Sequence, residues 1–296
     1  MPELPEVEVL VRHLRPLVRN QIIRRLEVRR ARVLAPTSPR ELRRALAGAR
    51  ICDLTRRGKY LLFQLRPPRR GRRFTLVGHL GMTGRFFLIQ NTDHLPRHTA
   101  VVLDLGTARL VYEDPRGFGR LTLDARPLAR LGPEPFDREF NAQRLRRVLR
   151  RSRQAIKVRL LDQALVAGIG NIYASEALFR ARLSPTLPSR ELSVRQLARL
   201  CEAVREVMTE AIQSGSTVPL HFAAGRTDGL FYFGRARGGA ASYGERLRVY
   251  DRAGDPCPRC GRRIRRAVQA SRSTFFCPRC QRDWAVRRRI GKAESV

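Results

Sequence analysis

The first residues of the chain, Met1-Pro-Glu-Leu-Pro-Glu, offer an amine that could act as a nucleophile. A small second residue permits removal of the initiator methionine, which would leave Pro2 with a free secondary amine. An α-amine has a reference pKa near ~7.8, against ~10.4 for lysine. At neutral pH roughly one such amine in ten is unprotonated, against roughly one lysine in two thousand. The chain terminus is therefore the better nucleophile of the two.

Charged residues around this amine have two interpretations. Glu3 would lie beside it and Glu6 one helical turn away, and their carboxylates would raise the pKa of the amine. A cation is then needed to balance them, and Lys59 in Arg-Arg-Gly-Lys-Tyr is the candidate. In the simpler interpretation, Pro2 and Pro5 start a helix and the glutamates complement its dipole. The residues alone favour this simpler interpretation.

Two cysteine pairs near the C-terminus have the spacing of a metal site. Cys257-Pro-Arg-Cys260 and Cys277-Pro-Arg-Cys280 are 16 residues apart, which predicts one tetrahedral Zn²⁺ with a hairpin between the pairs. Four thiolates leave no open position for water, so the metal would be structural. Two disulfides are the alternative, which an intracellular location disfavours. The other cysteines, Cys52 and Cys201, lie in apolar surroundings and are expected in the core.

Two further segments point to phosphate binding. The predicted zinc hairpin would project Arg272 near residues 269–274. Residues 160–178 predict two helical segments around Gly168-Ile-Gly170, with Asn171 at the N-cap of the second. The free N–H groups of that helix would bind phosphate, and Lys157 could add a positive charge. An ordinary helix–turn–helix packing unit explains this run equally well.

The composition indicates a polyanionic partner. Lys and Arg number 60 and Asp and Glu 26, a formal charge of +34, and neutralising phosphates releases counterions. An anionic membrane is the competing explanation, but no basic helix has one purely apolar face. The opening residues do not resemble a secretory signal, and the stretch 74–90 falls short of a membrane span. The expected location is cytoplasmic, in contact with the nucleoid and without membrane association.

Hydrophobic periodicity predicts the elements that would position these groups. A helix is expected over 5–19, followed by six short strands that suggest an antiparallel sandwich or barrel, over 60–65, 74–80, 85–90, 100–105, 108–113 and 119–123. Residues 131–140 look like a linker. Residues 193–212 predict a helix with a Ser193–Gln196 capping box, and residues 214–245 a long loop.

Taken together, these motifs give the chain a resemblance to a known family. The motifs are PELPEVE at 2–8, RRGKYLLF at 56–63, HLGMTGRF at 79–86, YEDPRGFGR at 112–120, LGPEPF at 131–136, LLDQALVAGIGNIYASEALF at 160–179, and the C-terminal PCPRCG and FFCPRCQ. The chain resembles bacterial formamidopyrimidine-DNA glycosylase, the zinc-containing member of the superfamily that includes endonuclease VIII. The PELPE opening favours this family over endonuclease VIII, which typically begins PEGPE.

The resemblance implies an α+β fold and a four-part chain. An N-terminal two-sheet antiparallel β-sandwich with flanking helices is expected over 1–135. A helix–two-turn–helix DNA-binding domain with a lesion-capping loop is expected over 136–250. A zinc-finger β-hairpin would cover 251–285, and a basic tail 286–296.

The resemblance also implies a bifunctional glycosylase and abasic-site lyase. Pro2 would attack the sugar C1′ of a flipped nucleotide and form an iminium, after which β- and δ-elimination would cut the strand. Glu3 would act as the acid near the sugar, and Glu6 would order the surroundings of the amine. Lys59 and Arg272 match residues that grip phosphates at the lesion.

Other matched residues concern DNA binding. His98, Arg116, Asn171 and Lys157 are expected to contact DNA, and Met82, Arg116 and Phe118 to fill the gap left by the extruded nucleotide. Arg116 could also donate to the orphaned base, preferably cytosine. Without the resemblance, Met82 and Phe118 would be assigned to the sheet core.

Departures from the family pattern leave alternatives open. Gly117 replaces a frequent basic residue, Asp251 replaces a common glycine, and residues 214–222 diverge in the loop that covers 8-oxoguanine. The expected substrate is duplex DNA with an oxidised purine opposite cytosine, bound by a monomer. One alternative is an endonuclease VIII-like enzyme for oxidised pyrimidines. The other is a zinc-ribbon nucleic-acid-binding protein without catalysis.

Overall fold

The computed structural model describes residues 2–69, 71–215 and 246–282. These residues form two compact units. The first contains the described residues up to Ala129 together with Ser214 and Gly215, and the second runs from Arg130 to Gln213 and resumes at Arg246. The four-part division of the chain stays a prediction.

The first unit is built from two four-stranded antiparallel sheets with helices beside them. One sheet has the strand order β1-β6-β7-β5 and the other β2-β3-β4-β8. The elements are α1 (Leu4–Val18), β1 (Arg25–Val28), a 3₁₀ helix (Ala31–Leu34), α2 (Pro39–Leu46), β2 (Arg50–Arg57), β3 (Tyr60–Arg66), β4 (Phe74–His79), β5 (Arg85–Ile89), β6 (Thr99–Asp104), β7 (Arg109–Glu113), β8 (Arg120–Thr122) and α3 (Arg126–Ala129).

Apolar residues of both sheets and of α1 share one core. The ring of Phe63 in β3 lies 5.6 Å from that of Phe86 in β5, which belongs to the other sheet. Phe86 in turn stacks on Tyr112 at 4.6 Å. The inward faces of the two sheets therefore pack against each other, as the predicted sandwich requires.

The second unit joins helices to a small hairpin. Its elements are α4 (Ala142–Leu149), α5 (Ile156–Leu160), α6 (Asn171–Arg180), a 3₁₀ helix (Ser189–Glu191), α7 (Val194–Gln213), β9 (Arg265–Gln269) and β10 (Arg272–Phe276). The capping box of α7 is confirmed, since the Ser193 N–H donates to Gln196 Oε1 at 2.8 Å and the Gln196 N–H to Ser193 Oγ at 3.2 Å.

The six predicted strands and the two predicted long helices are confirmed, whereas α2, β1 and β2 were not predicted. β2 carries Asp53 and three arginines, which hide its alternation, and α2 buries only Leu42 and Leu46.

Residues 131–140 do not form a free linker, because Arg205 donates to the carbonyls of Pro135, at 2.8 Å, and Phe140. The predicted loop over 214–245 lies outside the described residues from 216 onward. Within the described chain, the helices are too short or too polar to cross a bilayer.

A buried carboxylate ties the zinc segment to α6. Glu176 is 2% exposed, and its oxygens accept hydrogen bonds from the backbone N–H groups of Arg248, Val249 and Tyr250 at 2.9, 2.9 and 2.8 Å. Val249 and Phe179 then pack in one small apolar cluster with the hairpin. Glu176 therefore fixes where the chain enters the zinc segment.

We expect Glu176→Gln to destabilise the second unit by about 2–4 kcal/mol, because the amide loses the charge and can present a donor to backbone donors. Thermal unfolding of the zinc-loaded protein would measure the loss. Glu206→Gln is the matched control, since Glu206 pairs with Arg180 at 3.2 Å while 48% exposed, and should cost less than about 1 kcal/mol. Equal losses in the two variants would contradict this role of Glu176.

Candidate functional site

The start of α1 holds a buried group of polar residues. Glu3 and Glu6 form a reciprocal capping box, with the Glu3 N–H donating to Glu6 Oε2 at 2.8 Å. Both side chains are 2% exposed, and Pro2 is buried next to them. Met1, whose removal the nucleophile hypothesis requires, lies outside the described residues. The structure thus brings Pro2, Glu3 and Glu6 together at the positive end of a 15-residue helix.

Lys59 lies in the turn between β2 and β3 and is 5% exposed. The preceding Gly58 has φ +57°, which allows the tight turn. The Arg56 guanidinium donates to the Gly58 carbonyl at 3.1 Å and to Glu8 in α1 at 2.8 Å. Arg56 therefore fastens the hairpin that carries Lys59 to the helix that begins beside Pro2.

His79 lies near Lys59 and was not singled out by the sequence reasoning. It pairs with Tyr60 in the β3–β4 register, and their rings are 4.7 Å apart. Burial, followed by the charges of Lys59 and Arg120, lowers the pKa of His79 to about 4. The Gly81 N–H donates to Nδ1 at 3.1 Å, so the neutral ring carries its proton on Nε2. The available signal was its place at the head of HLGMTGRF, in a chain with only five histidines.

Two adjacent loops carry the predicted gap-filling residues. Met82 lies between β4 and β5, and Arg116 and Phe118 lie between β7 and β8. The carboxylate of Asp114, which is completely buried, joins the loops by accepting from Thr83 Oγ1 at 2.7 Å and from the Gly119 N–H at 2.8 Å.

Gly81 allows the two loops to pack closely. It has φ +59°, and a Cβ there would lie 2.6 Å from the Phe118 carbonyl carbon. Met82 and Phe118 are 46% and 51% exposed, so the alternative that placed them in the sheet core is wrong. The Arg116 guanidinium lies 4.8 Å from the centre of the Phe118 ring. The structure therefore presents two apolar side chains and a cation on one surface.

His98 lies beside the second of these loops. Its carbonyl accepts from the Asp114 N–H at 3.2 Å. Arg30 donates to His98 Nδ1 and to the Asp114 carbonyl, both at 3.0 Å. Because Nδ1 accepts, the proton lies on Nε2, where it can be donated to a ligand.

The four cysteines of the second unit form a zinc site. All four Sγ atoms lie within 4.8 Å of one another, with Cys257–Cys280 at 3.9 Å and Cys260–Cys277 at 3.5 Å. Four thiolates at about 2.3 Å from a tetrahedral Zn²⁺ lie about 3.8 Å apart, so the residues fit one structural zinc ion. Disulfide sulfurs would be about 2.05 Å apart. Of the two cysteines expected in the core, Cys201 is buried and Cys52 is partly exposed.

The hairpin between the cysteine pairs presents Arg272 at its tip. Ala270 and Ser271 form the two-residue turn, with φ +47° and +58°, and Arg272 is the exposed first residue of β10. The Ser273 carbonyl next to it accepts from Lys157 Nζ at 3.3 Å and from Asn171 Nδ2 at 2.9 Å. These two bonds hold the backbone that carries Arg272 against the helices.

Two expectations about this region need correction. Gly170, not Asn171, is the N-cap of α6, and Asn171 is its first residue. Asn171 instead uses its amide to bind the hairpin, and its buried Oδ1 has no hydrogen-bond partner among the described residues. The helical segment expected before the glycines ends at Leu160, and turns occupy most of residues 161–170. Lys157 is fully buried, so its contact with DNA stays a prediction.

Comparison with protein families covers most of the chain. Residues 1–121 match the formamidopyrimidine-DNA glycosylase N-terminal domain, and residues 131–221 match the H2TH domain of the same enzymes. Residues 254–282 match the zinc finger found in FPG and IleRS.

Individual relatives agree along their whole lengths. A formamidopyrimidine-DNA glycosylase of Thermus thermophilus is 44% identical over 95% of this chain and 98% of its own. That of Alkalilimnicola ehrlichii is 42% identical over 95% and 100%. The Lactococcus lactis enzyme bound to DNA with an abasic site is 31% identical, with a TM-score of 0.82 over 95% of this chain and 100% of its own. The same enzyme in complex with DNA containing an oxidised pyrimidine gives 32% and 0.83 over the same shares.

His79 is expected to titrate near pH 4 in an NMR experiment. Because the unfolded ring binds its proton at a pKa near 6.5, the unfolded state gains protons first as the pH falls. This one group should therefore remove about 2 kcal/mol of stability between pH 7 and pH 5. Denaturant unfolding at pH 7 and pH 5 would measure this loss of stability. The His79→Gln variant should lose about 2 kcal/mol less than the wild type between the two pH values. An equal loss in both proteins would contradict the low pKa of His79.

We expect one zinc ion per chain, and removing it by chelation should unfold the hairpin because the metal supplies its folding energy. Hydrogen exchange would then show lost protection in β9 and β10 and retained protection in β6 and β7. Cys277→Ser should lower the zinc content measured by mass spectrometry, whereas Cys201→Ser should not. Full protection of a zinc-free hairpin would contradict the structural role.

Proposed function

Because this chain belongs to the formamidopyrimidine-DNA glycosylase family, we propose that it excises oxidised purines from duplex DNA and then cuts the strand as an abasic-site lyase. The observation that carries the proposal is the buried group formed by Pro2, Glu3 and Glu6 at the start of α1. A simple helix start does not require two buried carboxylates, since exposed ones complement the dipole equally well.

The proposed reaction begins at the Pro2 nitrogen. Its lone pair forms a bond to C1′ of an extruded nucleotide while the C1′–N bond breaks and the base departs with that electron pair. Ring opening gives an iminium, in which the positive nitrogen acidifies the C2′ proton. Loss of that proton expels the 3′ phosphate, and a second elimination expels the 5′ phosphate. Water finally releases Pro2 from the sugar fragment.

The buried carboxylates have distinct roles in this proposal. Glu3 donates a proton to the sugar ring oxygen as the ring opens. Glu6 holds the backbone beside the nucleophile through the 2.8 Å bond from the Glu3 N–H. Lys59 and Arg272 bind the phosphates around the lesion, and the rigid turns that carry them support this assignment.

Contacts with the duplex follow from the exposed groups. Met82 and Phe118 fill the gap left by the extruded nucleotide, and their exposure on adjacent loops supports this. Arg116 pairs with the orphaned base, preferably cytosine. His98 donates from Nε2 to a phosphate. Asn171 and Lys157 contact the DNA and also hold the backbone of the zinc hairpin. We further propose that the enzyme acts as a monomer in the cytoplasm.

A second substrate class is supported by one comparison. The Lactococcus lactis enzyme has been crystallised with DNA that contains an oxidised pyrimidine. The residues that diverge in the lesion-covering loop begin at Ser214 and lie mostly outside the described residues. Parallel assays on duplexes with 8-oxoguanine and with thymine glycol would separate the two preferences. A non-catalytic zinc-ribbon protein would act on neither substrate.

Borohydride reduction during the reaction with lesion-containing duplex should trap a covalent adduct, because hydride reduces the iminium to a stable amine. Peptide mass spectrometry should place the DNA on an N-terminal peptide that begins with Pro2. A Pro2→Gly variant with an acetylated terminus should give no adduct, whereas Arg66→Gln, on the exposed end of β3, should react normally. An adduct on Lys59, or none with the wild type, would refute the mechanism.

A further inference from the structure

The surface of the first unit contains a pocket framed by arginines. It has a volume of about 220 Å³ and is lined by Arg30, Arg32, Val33, Pro115, Arg116 and Gly117. Three of its six residues are arginines, and they come from two separate segments of the chain. Arg30 and Arg32 flank the start of the first 3₁₀ helix, and Arg116 lies in the β7–β8 loop.

The arginines of this pocket are held by neutral acceptors. Arg32 donates from Nη2 to the Arg116 carbonyl at 3.0 Å, and from Nε and Nη2 to the Gly117 carbonyl at 3.3 and 3.2 Å. Arg30 donates to the Asp114 carbonyl and to His98. Within the described ranges, no carboxylate lies within ion-pair distance of these three guanidiniums. A carbonyl orients a guanidinium without cancelling its charge, so the pocket stays positive.

Part of Arg32 is left for a ligand. Its Nη1 has two N–H groups, and neither has an acceptor among the residues that the structure describes. The residue is exposed, so these groups can reach a ligand from solvent. A guanidinium fixed on one edge presents its other edge in the planar geometry that phosphate oxygens accept.

Gly117 makes room for this arrangement. Its φ of +65° lies in the left-handed region, and a Cβ there would lie 2.9 Å from Arg32 Nη2 and 3.2 Å from Arg32 Cζ. A side chain at this position would therefore strain the backbone and displace the guanidinium. The clash would fall on the guanidinium that would bind the ligand, so Arg32 can take this position only if residue 117 is glycine.

We infer that Arg30 and Arg32, held by the carbonyls of Asp114, Arg116 and Gly117, form a binding pocket for a phosphodiester of the DNA backbone, with Arg32 as its principal contact and Gly117 as the residue that admits it. The inference rests on the proposed function in taking duplex DNA as the partner. The pocket adjoins the loop that carries Phe118, so a phosphate bound there would also fix the register of that loop on the duplex.

Salt dependence of binding to an undamaged duplex tests the pocket. The slope of log K against log salt concentration is negative, and it becomes shallower by about 0.9 for each phosphate contact that is lost. Arg32→Gln should make the slope shallower by about 1, and Arg32→Lys should largely preserve the wild-type slope. Gly117→Ala should weaken binding in the same direction, with no further loss in the double variant. Arg66→Gln is the matched control. It removes an equal charge from the far end of β3, about 20 Å along the strand from Lys59, and should leave the slope nearly unchanged.

Each other outcome overturns the assignment. Equal slopes for Arg32→Gln and Arg66→Gln would show that the pocket takes no backbone phosphate. An unchanged slope with weaker lesion binding would make Arg32 a positioning residue of the loop only. Binding of inorganic phosphate, followed by NMR at constant ionic strength, together with an unchanged DNA slope would identify a site for free anions.

The trapping reaction separates this inference from the proposed function. The wild type should give the covalent adduct whether or not the pocket takes a phosphate, because the pocket takes no part in the chemistry at Pro2. If the wild type traps DNA but Arg32→Gln leaves the salt slope unchanged, the pocket assignment alone is refuted. A wild type that gives no adduct refutes the proposed function. Thermal unfolding of Arg32→Gln at the wild-type temperature confirms that the variant is folded.

Discussion

A shortage of carboxylates governs how this chain can use its arginines. With 60 basic and 26 acidic residues, most guanidiniums cannot have an acidic partner. Many of them donate instead to backbone carbonyls in loops, as Arg30 does to Asp114, Arg32 to Gly117, Arg199 to Ala181 and Arg205 to Pro135. Such bonds brace the loops and leave the positive charge in place. The same residues thus stabilise the fold and attract a polyanion.

The few acidic residues in the interior do a complementary task. Glu6, Asp114 and Glu176 each accept at least one backbone N–H group, and all three are nearly or completely buried. A buried carboxylate is stable only where donors surround it, so each one fixes the geometry of the backbone around it. Glu6 orders the chain terminus, Asp114 joins two loops, and Glu176 sets the entry to the zinc segment.

The fold was predictable where local patterns are strong. α1 and α7 have apolar stripes and N-terminal signals, and the six predicted strands are short apolar runs between turn residues. β2 escaped prediction because its consecutive residues Arg56 and Arg57 put charged side chains on both faces of the strand, so that alternation gives no clear signal. The short helix α2 depends on packing of two leucines against the sheets rather than on its own periodicity.

The zinc site could be assigned from the amino acids alone, because the spacing of the cysteines leaves few other arrangements, and motifs spread over the whole chain identified the family. Which side chains are exposed, and which are neighbours, emerged from the packing of the folded chain. Met82 and Phe118 are apolar residues on exposed loops. The pairing of β3 with β4 brings His79 near Lys59. Arg32 donates a hydrogen bond to the carbonyl of Gly117, which lies 85 positions further along the chain. Burial and contact depend on how distant segments pack, and no local pattern of residues specifies that.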